Sequence, residues 1–289
     1  MSPLAVAFVA CAAVVATCWI LSVVTGEYSW VDRLWSIVPI GYVTWFAAQT
    51  GFADARLVVM AVLVAAWGAR LTFNFARKGG YRRGGEDYRW GVLRARMPRW
   101  QFAIFNLLFI AGYQNLLVLL FTLPAWAALA PGAGLFGAGA TGAVAPSPFG
   151  PIDAVATGLF LLFLTGEIVA DNQQWAFQTE KRARAARGEP VGLGFVTTGL
   201  FRYSRHPNFF CEQSIWWSFY LFSVGAGAGA INPTIVGPAL LTLLFHGSTQ
   251  FTESITLSRY PRYADYQRTT SRLIPWPPSA PAAATDPSA

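Results

Sequence analysis

The chain has 289 residues, of which 54% are hydrophobic and only 12% are charged. Soluble domains carry about 25% charged residues, so this composition excludes an ordinary water-soluble enzyme and indicates a protein surrounded largely by lipid. The formal net charge is +7, and the three cysteines lie in apolar stretches without a CxxC pair, which argues against a disulfide scaffold or a thiolate metal site.

Seven apolar stretches follow one another along the chain, each close to the length of about 20 residues that a membrane-spanning helix needs. They predict an all-α bundle of seven transmembrane helices in one domain, residues 1–277, followed by a disordered tail, 278–289. No Lys or Arg precedes Arg33, so the first stretch predicts a retained helix rather than a cleaved signal peptide. The seven stretches are 4–24, 33–51, 56–76, 101–127, 152–174, 208–230 and 234–256.

Most of the 21 Lys and Arg residues lie in three segments: between stretches three and four, between stretches five and six, and after stretch seven. With seven spans these segments share one side, which the positive-inside rule identifies as the cytoplasm. We therefore predict an N-terminus outside, a cytoplasmic C-terminus and a multi-pass protein of the bacterial inner membrane. The connector at 131–148 has no basic residue and is predicted to lie outside. We expect membrane lipids, and no nucleic acid, as partners of the charged segments.

Ionisable side chains within predicted spans are costly, and they usually face a partner or a polar cavity. Each one here could form a structural ion pair between helices. All of them fall in the predicted cytoplasmic half, however, so one polar cavity open to the cytoplasm would account for the whole set. The residues concerned are Asp32, Arg33, Arg70, Glu167, Asp171, Glu212 and Glu253.

Several arginines suit a ligand that bears several phosphates, because a guanidinium binds phosphate through two parallel hydrogen bonds. The stretch RKGGYRRGGEDYRW at 77–90 interleaves acids with these bases, which a topology signal alone does not explain. The standard nucleotide motifs are missing: the sequence has no Walker A motif, and Gly192 and Gly194 do not belong to a GxGxxG turn. No metal site is predicted, because His206 and His246 are the only histidines and no spaced ligand set accompanies them.

The segment GLFRYSRHPNFFCEQSIWW at 199–217 places a basic cluster directly before an aromatic, apolar run. Pro207 suits the first turn of a helix, where its missing N–H costs nothing. A helix N-terminus also favours anions. The segment therefore predicts the cytoplasmic start of a helix, with Arg202, Arg205 and Asn208 as a binding mouth for phosphate and ribose.

The same segment carries a family resemblance. GLFRYSRHPNFFCE at 199–212, together with YADYQRTTSRLIPWPP at 263–278, resembles the C-terminal region of the membrane steroid 5α-reductase family, and especially its bacterial branch. GEDYRW at 85–90 and EIVADNQQWAFQ at 167–178 are similar to that branch as well, so the resemblance extends over about 27–277. The RHPN…E element alone is less specific, since membrane methyltransferases and sterol C14 reductases share it.

The resemblance implies a seven-helix reductase that binds NADPH and passes a hydride to the β-carbon of an enone such as a Δ4-3-oxosteroid. It implies that Asp32, placed seven residues before Pro39, polarises the substrate carbonyl, with Tyr28 and Trp67 as further candidate donors. Its C-terminal segment is expected to close over the cofactor. The resemblance and the basic clusters together predict the cofactor-binding residues Arg70, Asn74, Arg77, Arg83, Asp87, Arg89, Asp171, Arg202, Tyr203, Arg205, His206, Asn208, Glu212, Tyr263, Tyr266 and Arg272.

Four positions depart from the pattern of the steroid enzymes. Val31 stands where those enzymes have Gln, Trp67 and Asn74 stand where they have tyrosines, and Glu167 stands where they usually have Asn. These departures concern the substrate side. The resemblance therefore specifies the cofactor better than it specifies the substrate, which is expected to be a hydrophobic, steroid-like or enone lipid.

Alternatives stay open at this point. Asp32 could pair with Arg33 or be a simple helix-start carboxylate. The chain could be a membrane methyltransferase that uses S-adenosylmethionine, or a transporter or lipid-binding bundle without catalytic activity. The excess of arginine favours NADPH over NADH, because the extra 2′-phosphate needs a charged partner. We expect the protein to act as a monomer.

Overall fold

The computed structural model describes residues 1–131 and 146–279. Most of the predicted outer connector and of the predicted disordered tail therefore lies outside the described residues. The described residues form helices and turns and contain no strand. The chain divides into two compact units. The first unit comprises Met1–Leu161 and Ile215–Thr242, and the second comprises Leu162–Ser214 and the described part of Leu243–Ala289.

The first unit contains the N-terminal helices. Side chains that accept hydrogen bonds from the first turn fix two of the helix starts: Ser2 bonds the Ala5 N–H at 3.2 Å, and Asp54 bonds the Leu57 N–H at 3.0 Å. The elements are α1 (Pro3–Thr25), α2 (Trp30–Leu34), α3 (Val38–Ala48), α4 (Ala55–Arg77), α5 (Tyr88–Arg96), α6 (Arg99–Phe105), a π-helical segment (Asn106–Tyr113), α7 (Gln114–Thr122) and α8 (Pro124–Leu129).

Four further helices follow: α9 (Pro151–Ala186), α10 (Pro207–Gly225), α11 (Val236–Arg259) and α12 (Tyr263–Thr269). Helix α10 begins at Pro207, as predicted. Helix α9 has 36 residues and runs well beyond the predicted end at residue 174. It continues because the polar stretch after the apolar run is rich in Glu, Lys, Arg and Ala, which all favour helix.

Four helical stretches are long and apolar enough to cross a membrane: Pro3–Thr25, Ala55–Arg77, Arg99–Leu129 and Pro151–Ala186. They indicate a multi-pass membrane protein. Helix α3, at the second predicted span, has only 11 residues. The crossings predicted at α3, α10 and α11, and with them the count of seven and the orientation of the termini, stay predictions.

Aromatic side chains fill much of the core of the first unit. The ring of Trp216 lies 4.0 Å from that of Phe121 and 4.9 Å from that of Trp67, centroid to centroid. All three side chains are fully buried. Such ring pairs add about 0.5–1.5 kcal/mol beyond the apolar area that they bury.

A buried ion pair joins distant parts of the first unit. Arg56 in α4 donates to both carboxylate oxygens of Asp153 in α9, at 2.7 and 2.9 Å. Its remaining N–H groups bond the carbonyls of Ser147, Pro148 and Gly225. Both charged side chains are 1% exposed, so this guanidinium is neutralised, and each of its three nitrogens donates a hydrogen bond.

In the second unit, α9 packs closely on α10. A β-carbon added at Gly166 would lie 2.9 Å from the Cys211 sulfur. One turn away, the rings of Phe163 and Phe210 meet edge to face at 5.9 Å. The small residue therefore permits a close approach of the two helices.

Candidate functional site

The first candidate site surrounds Asp32 in α2. The indole Nε1–H of Trp90 donates to Asp32 Oδ2 at 2.9 Å. Arg33, the partner considered for Asp32 from the sequence, instead binds Glu27 at 2.6 Å and donates to the Gly80 carbonyl. Asp32 is therefore held by a neutral donor, while its neighbour neutralises a different carboxylate.

Hydrogen bonds from backbone and side-chain groups join the segment at 79–90 to residues 27–33. Glu86 accepts from the Tyr28 backbone N–H at 2.7 Å, and the Asp87 N–H donates to Ser29 Oγ at 2.9 Å. Glu27 in turn accepts from the Gly84 N–H at 2.8 Å. The carboxylates of Glu86 and Glu27 and the Asp87 backbone therefore hold the loop against the chain around Asp32.

The charges near Asp32 set its protonation. Partial burial removes the carboxyl group from water and raises its pKa, and the nearby Asp87 carboxylate raises it further. The Trp90 hydrogen bond and the positive charge of Arg89 act in the opposite direction but do not outweigh burial. Arg89 itself is bound to Asp87 at 2.8 Å. The site therefore shifts the Asp32 carboxyl group toward its protonated form.

The other candidate donors of the first unit have different surroundings. Tyr28 packs edge to face on Phe102 at 4.7 Å, and the Arg94 guanidinium lies 5.4 Å from its ring centroid. Trp67 is buried against Trp216 in the aromatic core. Both roles stay predictions.

Helix α4 presents the predicted row of polar residues. Arg77 Nε donates to Asn74 Oδ1 at 2.9 Å, which confirms that these two share one helical face. Arg70, one turn before Asn74, is partly buried, and Asn74 is buried. Arg83 is exposed on the loop that follows this helix.

The second candidate site, in the second unit, is centred on Glu253 of α11. Arg205 binds both Glu253 oxygens, at 2.7 and 3.1 Å, and His206 Nε2 lies 3.0 Å from Oε1. Tyr263 and Gln267 also donate to this carboxylate, at 3.3 and 2.9 Å. The structure thus brings three predicted cofactor residues, Arg205, His206 and Tyr263, together around Glu253. From the sequence, Glu253 was expected only to line a polar cavity.

Arg205 also fastens the C-terminal segment. Its Nη1 donates to the carbonyls of Gln267 and Thr270, so protein acceptors take four of its five N–H groups. The backbone of residues 205 and 206 pairs with the carbonyls of Ser271 and Arg272, at 2.8 and 3.1 Å. Within this site Arg205 serves mainly to hold chain segments together and leaves little capacity for a ligand.

Other predicted residues of the second unit line the same segment. The Tyr266 hydroxyl donates to the Phe201 carbonyl, and its ring stacks on Phe195 at 5.6 Å. Tyr203 is exposed, and its carbonyl accepts from the Trp276 N–H at 2.9 Å.

Within the second unit, helices α9 and α10 carry three buried acids. Glu167 and Asp171 lie one turn apart on α9 and are each 4% exposed, while Glu212 on α10 is 5% exposed. Asn208, one turn before Glu212, is partly buried. Buried carboxylates in an apolar helix pair are costly, so these three acids are candidates for a functional site.

A cavity of about 340 Å³ opens in the second unit. Two predicted cofactor residues, Arg202 and Tyr266, line it together with Arg262. Its volume is at the lower end for small-molecule pockets and would accommodate part of a dinucleotide. Sequence reasoning overlooked Arg262, as it overlooked Trp90 and Gln267, because no motif distinguishes these residues from other loop and helix positions.

Comparison with known proteins gives the family. The family model described as "Protein of unknown function (DUF1295)" matches residues 18–270. An uncharacterised protein, C594.04c, of Schizosaccharomyces pombe is 38% identical over 270 residues, which cover 89% of this chain and 75% of that protein. No solved structure matches the chain. Both descriptions leave the activity open, but the extent of the two matches shows that the chain belongs to the DUF1295 family.

Proposed function

We propose that this protein is an NADPH-dependent reductase of the carbon–carbon double bond of an enone, with the Δ4 bond of a 3-oxosteroid as the leading substrate class. The observation that carries the proposal is the environment of Asp32, where burial favours a neutral acid held by the Trp90 indole. The relation of the DUF1295 family to steroid 5α-reductase-like membrane proteins adds support.

Asp32 supplies the electrophilic role. Conjugate addition of hydride places negative charge on the carbonyl oxygen of the enone, and a donor aimed at that oxygen lowers the barrier. A neutral Asp32 can donate its O–H to the oxygen, whereas an ionised Asp32 would repel the developing charge. Trp90 fixes the second carboxyl oxygen, so it acts as a positioning residue.

The donor set of the second unit fits the cofactor in part. Guanidinium and hydroxyl groups suit phosphates, and Arg202 and Tyr266 contribute these groups to one cavity. Asn208 and Glu212 lie one turn apart on α10 and would suit ribose and amide groups. Arg205 fits a role in cofactor binding less well, because most of its N–H groups donate to acceptors within the protein. NADPH, when bound, supplies the hydride.

The test uses the full-length protein in detergent or lipid nanodiscs. NADPH and S-adenosylmethionine are titrated separately, and NADPH oxidation is then measured with Δ4-3-oxosteroids and with simpler enones. We expect NADPH to bind more tightly than NADH, and one enone class to gain two hydrogen atoms at the double bond. Binding of S-adenosylmethionine without binding of NADPH would reject the proposal in favour of a methyltransferase.

A further inference from the structure

The cavity of the second unit is built from loop and helix residues between α9 and the end of the described chain. Leu193, Phe195 and Pro278 form apolar walls, and Thr197 contributes a hydroxyl group. The cavity therefore combines a surface for an apolar or aromatic group with polar side chains that could hold a charge.

Two arginines face this cavity, and neither is paired with an acid in the described part of the chain. Arg202 and Arg262 both line it, and both are exposed. Among the residues that the structure describes, neither guanidinium forms a salt bridge or a side-chain hydrogen bond, in contrast to Arg205, Arg184 and Arg187 of the same unit. Two guanidinium groups at one cavity repel each other unless an anion lies between them.

Asp265, the acid among the cavity-lining residues, already has a cationic partner. Asp265 lines the cavity, but its carboxylate is bound by Arg268. Asp265 therefore leaves the charges of Arg202 and Arg262 available for a ligand.

We infer that Arg202 and Arg262 form a binding site for a phosphate monoester. A monoester carries close to two negative charges at neutral pH and three acceptor oxygens, so it can accept a bidentate hydrogen-bond pair from each guanidinium. The rest of the ligand, a nucleoside or a lipid tail, packs on the apolar walls. The inference concerns the cavity that the proposed function assigns to the cofactor phosphates and specifies its ligand group. It does not require the reductase activity, however, since the monoester can come from a soluble nucleotide or from an anionic lipid.

The test measures binding to the full-length protein in phosphatidylcholine nanodiscs with two kinds of probe. Adenosine 2′,5′-bisphosphate is compared with adenosine by calorimetry, and phosphatidic acid is compared with added phosphatidylcholine by native mass spectrometry. We expect one of the two monoesters to bind, and its uncharged or diester counterpart not to bind. The arm that gives binding identifies the source of the phosphate.

Variants tie the binding to the cavity. Arg202→Gln and Arg262→Gln should each weaken binding by about tenfold or more, because each removes a charge-assisted hydrogen-bond pair. Arg202→Lys should fall between wild type and Arg202→Gln, since it keeps the charge but loses the fork. Arg187→Gln is the matched control, because Arg187 is also exposed but is already bound to Glu189.

Four outcomes of these measurements would contradict one of the two proposals. Failure of both monoesters to bind, or binding that both Gln variants leave unchanged, overturns the inference. Loss of binding in the Arg187→Gln control would show that the monoester responds to general surface charge, and this result would also overturn the inference. Monoester binding without any NADPH oxidation refutes the proposed reductase and leaves the phosphate site standing.

Discussion

At the scale of single residues, Asp32 differs from the acids around it in the partner that it has. Glu27 binds the Arg33 guanidinium and Asp87 binds that of Arg89, whereas Asp32 accepts from the neutral indole of Trp90. A cationic partner stabilises the ionised form and lowers a carboxyl pKa, while burial beside a neutral donor favours the protonated form. Asp32 is therefore the carboxyl group of this cluster that is suited to donate a proton.

Replacing Asp32 with Asn should separate binding from chemistry. The amide keeps the volume and an acceptor for Trp90 but is a weaker donor to a developing oxyanion, so turnover should fall by roughly 10²-fold or more while NADPH affinity stays unchanged. Stopped-flow turnover and NADPH titration measure the two quantities. Unchanged turnover in Asp32→Asn would remove Asp32 from the mechanism.

The pH profile supplies an independent check on Asp32. Burial and the nearby Asp87 charge raise the pKa of Asp32, so the donating, protonated form is present below that pKa and is lost as the pH rises through it. Turnover should therefore decrease with rising pH, and the decrease should be absent in Asp32→Asn. The measurement is kcat against pH with saturating substrate. A decrease of equal size and position in both proteins would assign the titration to another group.

At the scale of elements, α12 and the segment after it depend on one carboxylate of α11. Glu253 accepts hydrogen bonds from Arg205, His206, Tyr263 and Gln267. Its side chain is 7% exposed and that of Arg205 is 9% exposed, so the loss of either partner would leave a buried charge without its counterion.

Glu253→Gln should loosen this segment. The substitution leaves Arg205 buried without an anion, which costs about 3 kcal/mol or more when one partner of a buried pair is removed. Limited proteolysis and hydrogen exchange of residues 263–277 in nanodiscs measure the effect. The matched control is Glu189→Gln, which breaks the exposed Arg187 pair and should change little. Equal protection in the two variants would show that Glu253 does not hold the segment.

The sequence predicted elements where the signal is local. The lengths of the apolar runs indicated where the helices lie. Pro207 indicated the start of α10, because a helix tolerates proline in its first turn but not in its interior. The π-helical segment Asn106–Tyr113 was not predicted, because its residues are as apolar as those of an ordinary α-helix. The sequence did not predict that α3 is short. An apolar run does not by itself show where within it a helix begins and ends.

The sequence predicted several of the residues of the candidate sites, but not which of them contact one another. Sequence reasoning selected Asp32, Asp87 and Arg89, which the structure brings together. It could not foresee that Arg205 would be occupied by Glu253, because these residues are 48 positions apart and only folding brings them into contact. Arg262 was missed for the same reason, since its importance rests on sharing a cavity with Arg202.

At the scale of the whole molecule, the number of spans is experimentally decidable. Four crossings would place both termini on one side of the membrane, whereas the predicted seven place them on opposite sides. Reporter fusions at the N-terminus, in the loop at 78–87, and after residue 277 should report outside, cytoplasm and cytoplasm, respectively. Termini on the same side would contradict the seven-helix topology.

The Arg56–Asp153 pair should contribute to the stability of the first unit. Arg56→Met leaves Asp153 buried and uncompensated, so thermal unfolding should shift to clearly lower temperature. The double variant Arg56→Met/Asp153→Leu should recover much of the loss, because both buried charges are then absent. Melting curves of the single and double variants in nanodiscs test this. A double variant less stable than Arg56→Met would show that the carbonyl bonds of Arg56, rather than its charge, dominate.

The close approach of Gly166 to Cys211 also makes the contact between α9 and α10 accessible to thiol chemistry. The Cys211 sulfur lies where a side chain at position 166 would be, and Cys211 is 7% exposed. Because Cys211 is buried, alkylation of its sulfur should be slow and should become faster when the two helices move apart. The rate of Cys211 alkylation therefore reports how often α9 and α10, which carry three buried acids, separate in the working protein.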